Sequence, residues 1–146
     1  MSGLSDIKTA IKNKFEELKV AGIIAEVQED DFKVGLLERD IAAYPAAIIT
    51  TPSIESDPGT NRDNIRTYNF GVLIVDKSEN VNSPEYIENL AEAILDKFDN
   101  DPTLGGVANA GVEPSTSPAQ AAVSRGKGVV FFEVIIKAKR FVNLNF

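Results

Sequence analysis

Apolar positions recur along this chain in two periods, and the switches between them mark the elements. Ile7, Ile11, Phe15 and Leu18 follow one another at four, four and three residues, which draws one apolar stripe along a helix. Lys8, Lys12, Lys14, Glu16, Glu17 and Lys19 fill the rest of its circumference. The spacing predicts a helix over residues 5–21, capped by Ser5 and closed by Gly22 in the left-handed conformation that ends many helices. A second stripe, Ile87, Leu90, Ala91, Ile94, Leu95 and Phe98, follows Ser83-Pro84-Glu85. That triplet joins a capping hydroxyl, a proline in the first helical position and an acid in the first turn, and predicts a helix to about residue 100.

Elsewhere the period falls to two. Residues 23–27 read as a short strand before the acidic turn Glu29-Asp30-Asp31, and residues 32–43 fit neither period. Prolines 45 and 52 bracket the apolar strand Ala46-Ala47-Ile48-Ile49, as prolines do at strand ends. Residues 53–64, rich in Ser, Asp, Gly, Pro and Asn, read as a loop. Residues 65–76 alternate and turn continuously apolar from Tyr68, the pattern of a central strand with helices on one face. Asp101-Pro102 and Gly105-Gly106 form a turn, residues 107–112 a weak strand, and residues 128–143 a long alternating strand through Val130, Phe132, Val134, Ile136, Ala138 and Arg140. The order α-β-β-β-α-β-β defines an α+β fold, a mostly antiparallel sheet with two amphipathic helices packed on it. A chain of 146 residues suits one such domain, spanning 1–146, with a mobile loop at 113–128 and a long terminal strand and tail at 129–146.

The last strand is long for the domain. Residues 128–143 would extend roughly 50 Å at ~3.3 Å per residue, against a domain about 30 Å across. Either the strand overhangs and adds to a neighbouring subunit's sheet, or it bulges and stays within its own. Phe141, Val142, Leu144 and Phe146 make the chain end apolar, which suggests docking on its own body or on a partner.

Composition narrows the chemistry. The chain has no Cys, His or Trp. Disulfides, thiolate nucleophiles, Cys-ligated metals, imidazole–metal sites and every Ser–His–Asp triad are therefore excluded. Glu29-Asp30-Asp31 lacks the alternating ligands and central glycine of a calcium loop, and reads as a solvated turn. Arg125-Gly126-Lys127-Gly128 fails as a phosphate loop, because position 121 is Ala, position 128 is Gly, and a strand follows; a hinge before the last strand fits it better. Asn61, Arg62 and Arg66 beside Tyr68 suit either an anion contact or cross-strand charge pairing. The 22 acidic residues allow many carboxylate pairs and single out none. No catalytic, cofactor-binding or metal-ligating residue is assigned, and no cofactor is expected. The N-terminus lacks an uninterrupted apolar core, and no stretch approaches ~20 apolar residues, so an aqueous location without a membrane is expected.

The net charge of −7 is unevenly placed. Residues 1–124 carry 10 basic and 21 acidic side chains, while residues 125–146 carry five basic and one acidic. Such a split favours an assembly in which one subunit's basic end meets a neighbour's acidic body, or a terminal strand folded back on its own body. It also disfavours wrapping a DNA exterior. On this reading Arg125, Lys127, Lys137, Lys139, Arg140, Phe141 and Phe146 are candidate subunit-interface residues.

Taken in order, the elements, with Tyr44-Pro45-Ala46-Ala47-Ile48-Ile49 and Asp101-Pro102-Thr103-Leu104-Gly105-Gly106 as their sharpest pieces, resemble the tail terminator and head–tail joining (neck) proteins of tailed bacteriophages. The resemblance spans nearly the whole chain and is one of pattern. It implies a non-enzymatic virion subunit, made in the host cytoplasm, that forms a hexameric ring at the head-proximal end of the tail. The ring would cap the tail tube protein, meet the head–tail connector or neck protein and, in a contractile phage, touch the tail sheath. DNA would pass through its lumen without being read in sequence. Alternatives are another neck ring of the same phage class, a cellular oligomeric α+β ligand-binding module, and a hydrolase acting through Asp and Glu.

Overall fold

The structure, a computed structural model, describes residues 3–29, 39–58 and 63–143. In chain order the elements are α1 (Gly3–Val20), β1 (Glu26–Glu29), β2 (Ala46–Ile49), β3 (Ser53–Pro58), β4 (Asp63–Lys77), a 3-10 turn (Ser78–Asn80), α2 (Pro84–Asp99), β5 (Gly111–Thr116), β6 (Gln120–Ser124) and β7 (Lys127–Asn143). The architecture is α+β in one domain, with a mostly antiparallel sheet of seven strands in the order β1-β2-β4-β7-β5; β3 adds to β4 and β6 adds to β7.

The spine of the sheet is the antiparallel ladder of β4 and β7, which stay paired from Asp63↔Asn143 to Lys77↔Val129. β2 flanks β4 along Val72–Val75 and β3 flanks it along Asn64–Asn69. On the other side, β5 covers β7 from Val134 to Lys139 and β6 covers it from Lys127 to Phe131. The long last strand is therefore central and at home, not an overhanging edge. It escapes the size limit because β4 is 15 residues long and runs beside it. β1 joins β2 in parallel, and the Tyr44-Pro45 peptide leading into β2 is cis.

Both helices lie on one face. Ile7, Ile11, Phe15 and Leu18 of α1 and Leu90, Ile94 and Phe98 of α2 are buried against Ala47, Ile49, Phe70, Val72, Ile74, Phe132, Val134 and Ile136. The rings of Phe15 and Phe98 meet at 5.7 Å between centroids, joining the helices over the sheet. Each such fully buried side chain contributes roughly 1.5–3 kcal/mol. α1 ends as its sequence requires: Gly22 has φ 80, its N–H bonds to Lys19 O and the Ile23 N–H bonds to Leu18 O, the pairing that satisfies the last carbonyls of a helix. The opposite sheet face carries a smaller buried group, Ile48, Leu73, Val75 and Val129, with Ile41, Tyr44, Ala122 and Phe131 packed on it.

Several expectations need correction. Residues 53–58 are strand, not loop. The segment 113–128 is not a loop either: it contributes most of β5, all of β6 and a two-residue hairpin turn. In that turn Arg125 (φ 53) and Gly126 (φ 79) both take positive φ, the turn geometry that matches strand twist, so the expected hinge is a tight reversal. Strand β5 begins at Gly111, after a run of turns, instead of at 107. α1 begins at Gly3, which puts Ser5 inside the helix instead of at its cap. Ser83 does occupy the cap position of α2, but its side chain makes no capping hydrogen bond.

Candidate assembly surfaces

The structure distributes the basic C-terminal segment over three places. Lys137, Lys139 and Phe141 alternate onto the helix-free face, whereas Arg140 is the register partner of Arg66 on the helix-bearing face. Lys139 Nζ pairs with Glu113 of β5 at 3.2 Å, and Lys137, exposed, lies between Asn69 and Glu113. Arg140 Nη1 stands 3.8 Å from Asp6 of α1. Arg125 and Lys127 sit at the far end of β7, ~30 Å from Lys137 at ~3.3 Å per residue. The basic candidates therefore do not share one surface, because a period of two sends neighbours to opposite faces and an extended chain spreads them out. Phe141 is 51% exposed. Phe146 lies outside the described residues.

Four strands, β1, β3, β5 and β6, pair with one neighbour each among the described residues, and two of these edges, β3 and β6, contrast in charge. Among the described residues, β3 pairs with β4 alone, and Ser53, Ile54, Glu55, Ser56 and Asp57 are all exposed. β6 pairs with β7 alone, and its Val123 is 70% exposed. The β4–β7 ladder carries these edges at opposite ends and on opposite sides. Their charges are opposite too: β3 bears Glu55 and Asp57, while the β6–β7 turn bears Arg125 and Lys127. The sequence hid both strands, since the described side chains of β3 are all exposed and β6 buries only the small Ala122 and Ser124, so neither shows apolar alternation. The one usable signal was Arg125-Gly126, a dipeptide able to take positive φ between short apolar runs.

Among the described residues one carboxylate is buried, and it gathers a polar cluster at the end of β4. Asp76 is 1% exposed and accepts from the Lys77 N–H at 2.8 Å, from Asn80 Nδ2 at 2.8 Å and from the Tyr86 hydroxyl. Burial, and next the hydrogen bond and charge of Asp76, push the Tyr86 hydroxyl up to about 12, so it stays protonated at neutral pH. The arrangement ties the start of α2 and the 3-10 turn to the sheet and leaves no spare proton acceptor. Two surface carboxylates are held below their ordinary range: Asp101 by the Gly105 N–H and then by Lys14, and Glu17 by its bond to Lys97.

Glu29, which ends β1 instead of opening the expected acidic turn, forms ion pairs with Lys12 at 3.4 Å and Lys8 at 3.9 Å; Asp30 and Asp31 lie outside the described residues, as do Asn61 and Arg62. Among the described residues no three Asp or Glu side chains come together in a metal-binding group, and no helix is long and apolar enough to cross a membrane. A cavity of about 550 Å³ lies at the start of α2, lined largely by exposed residues such as Asn82, Ser83, Pro84 and Glu88. No protein-family model matches the chain, and no curated protein sequence matches it.

Proposed function

We propose that this chain is a structural subunit of a tailed-phage neck, a tail terminator that closes into a ring, caps the tail tube and joins it to the head connector. The observation that carries the reading is the pair of open strand edges, acidic on β3 and basic at the β6–β7 turn, on opposite sides and at opposite ends of one sheet. Two different, complementary edges suit head-to-tail association, and head-to-tail contacts generate rings when the rotation closes. The order of elements resembles the terminator and neck family and supports the same reading. A ligand-binding module is less well supported, because the space between helices and sheet is filled by side chains from both. Another neck ring of the same phage class shares the edges and differs in its place in the virion.

Immunogold labelling of intact virions tests the assignment. The terminator reading expects label only at the junction of tail tube and neck, at the head-proximal end of detached tails. Label along the tail, at its distal tip or absent from virions overturns it. Label that stays with the head when tails detach assigns the chain to the connector side.

A further inference from the structure

The wing formed by β3, the start of β4 and the end of β7 holds two cations in one row. Ser56, Arg66 and Arg140 are register partners across the three strands, so Arg66 and Arg140 stand side by side on the face that carries α1. Like charges directly opposite one another destabilise a sheet. Asp6 offsets this in part, at 3.8 Å from Arg140 Nη1, which is too far for a hydrogen bond. Arg140 Nη1 is buried and has no acceptor among the described residues. The backbone of Arg66 is held between β3 and β7, while its side chain makes no ion pair or hydrogen bond with a described residue.

Tyr68 adds an independent observation. It is 3% exposed, and its hydroxyl lies beside Gly3 and Arg140 at one cavity. A buried guanidinium nitrogen without an acceptor is costly. Gly3 keeps the space beside them open: a Cβ there would stand 2.8 Å from Arg140 Nη1 and 3.2 Å from the Tyr68 hydroxyl. The outcome is a cavity of about 230 Å³ lined by Gly3, Arg66, Tyr68, Arg140, Phe141 and Val142. Its charged side chains are both donors, no carboxylate lines it, and the positive end of α1 opens beside it.

We propose that this cavity is a receptor for one oxyanion, and that the oxyanion is a carboxylate side chain of a second copy of this chain. Guanidinium groups with a convergent hydroxyl match the oxygens of a carboxylate. Glu55 and Asp57 of β3 do not reach the site, because they pair with Thr67 and Ile65, which face the other way. A second copy can present them, and with 22 acidic against 15 basic residues each copy is rich in such groups. The same net charge disfavours a nucleic-acid phosphate as occupant. The second-copy assignment rests on the ring reading; the oxyanion site does not.

The test titrates sodium acetate, and separately inorganic phosphate, into the wild type, Arg66→Gln and Tyr68→Phe at constant ionic strength. Arginine side-chain NMR signals and sedimentation are followed together, and circular dichroism checks the fold. Acetate should shift the Arg66 and Arg140 signals, with binding weakened about tenfold in R66Q and severalfold in Y68F. Self-association should weaken by a similar factor in R66Q and be competed by acetate. Acetate without effect on either arginine overturns the site, even if rings form. Binding by phosphate but not acetate overturns the carboxylate assignment in favour of a free inorganic anion. Acetate binding lost in R66Q with association unchanged overturns the second-copy assignment and leaves the ring reading standing. DNA retention that disappears in R66Q overturns it in favour of a nucleic acid.

Discussion

Tyr86→Phe removes the hydroxyl that donates to Asp76, the only buried carboxylate among the described residues, and leaves the aromatic ring in place. Asp76 then keeps the Lys77 N–H and Asn80 as donors but loses the third. A hydrogen bond to a charged, buried acceptor is worth about 1.5–3 kcal/mol. For a chain near 150 residues this corresponds to a fall in Tm of about 5–10 °C. The effect also has a pH signature. The folded-state value of about 12 lies above the ordinary tyrosine value of 10.0, so the stabilisation is complete below pH 10 and is lost as pH rises through 12. Two units of displacement amount to at most ~2.7 kcal/mol, and water around a partly exposed ring reduces the expected share to about 1 kcal/mol. Urea denaturation of both proteins at pH 7 and across the alkaline range gives the difference directly. The gap between wild type and Y86F should narrow as pH rises. A Y86F protein within about 0.5 kcal/mol of wild type at pH 7, or a gap that does not change with pH, refutes the account of this cluster.

Asp101→Asn should weaken the tie between α1 and the turn after α2 by a few tenths of a kcal/mol at neutral pH, because both side chains of the pair with Lys14 keep contact with water, at 16% and 30% exposure. Since the folded value is lowered, that contribution is present above the ordinary carboxylate range and disappears as pH falls through the lowered value, where wild type and variant should unfold alike; a difference that persists in acid contradicts the sign. Deleting residues 141–146 should leave the monomer folded, because the described part of that segment is the last stretch of one ladder, at Ile65↔Phe141 and beyond, while assembly weakens. Thermal melting that shows an unfolded truncated monomer would place this end in the core. Reversing Lys137 and Lys139 together to Glu alters one exposed face and should lower the ring population in native mass spectra without changing secondary structure; an unchanged population removes that face from the interface.

What could be read from the sequence followed burial. Both helices, β2, β4 and β7 have a face in the core, and their stripes of Ile, Leu, Phe and Val showed it in advance. β3, with the sequence Ser53-Ile54-Glu55-Ser56-Asp57-Pro58, buries neither face, so its residues carry the composition of a loop while its backbone is held by β4. β5 and β6 each bury one face only in part, through Val112 and through Ala122 and Ser124, so their apolar alternation is faint, and Pro114 in β5 is tolerated because the strand lies at an edge. Arg140 illustrates a different limit. Charge counting grouped it with Lys137 and Lys139, yet alternation alone already assigned it to the other face, beside Arg66. The pairing of Arg140 with Arg66 depends on register between strands about 70 residues apart, which no local pattern encodes.

The ring is the central claim, and its mass is the most direct measure of it. Native mass spectrometry across a concentration series, with negative-stain images of the largest species, should give six times the 15.8 kDa chain mass and particles with an open lumen. A dimer or tetramer without a lumen as the largest species would contradict a tail terminator and favour a small oligomeric ligand-binding module.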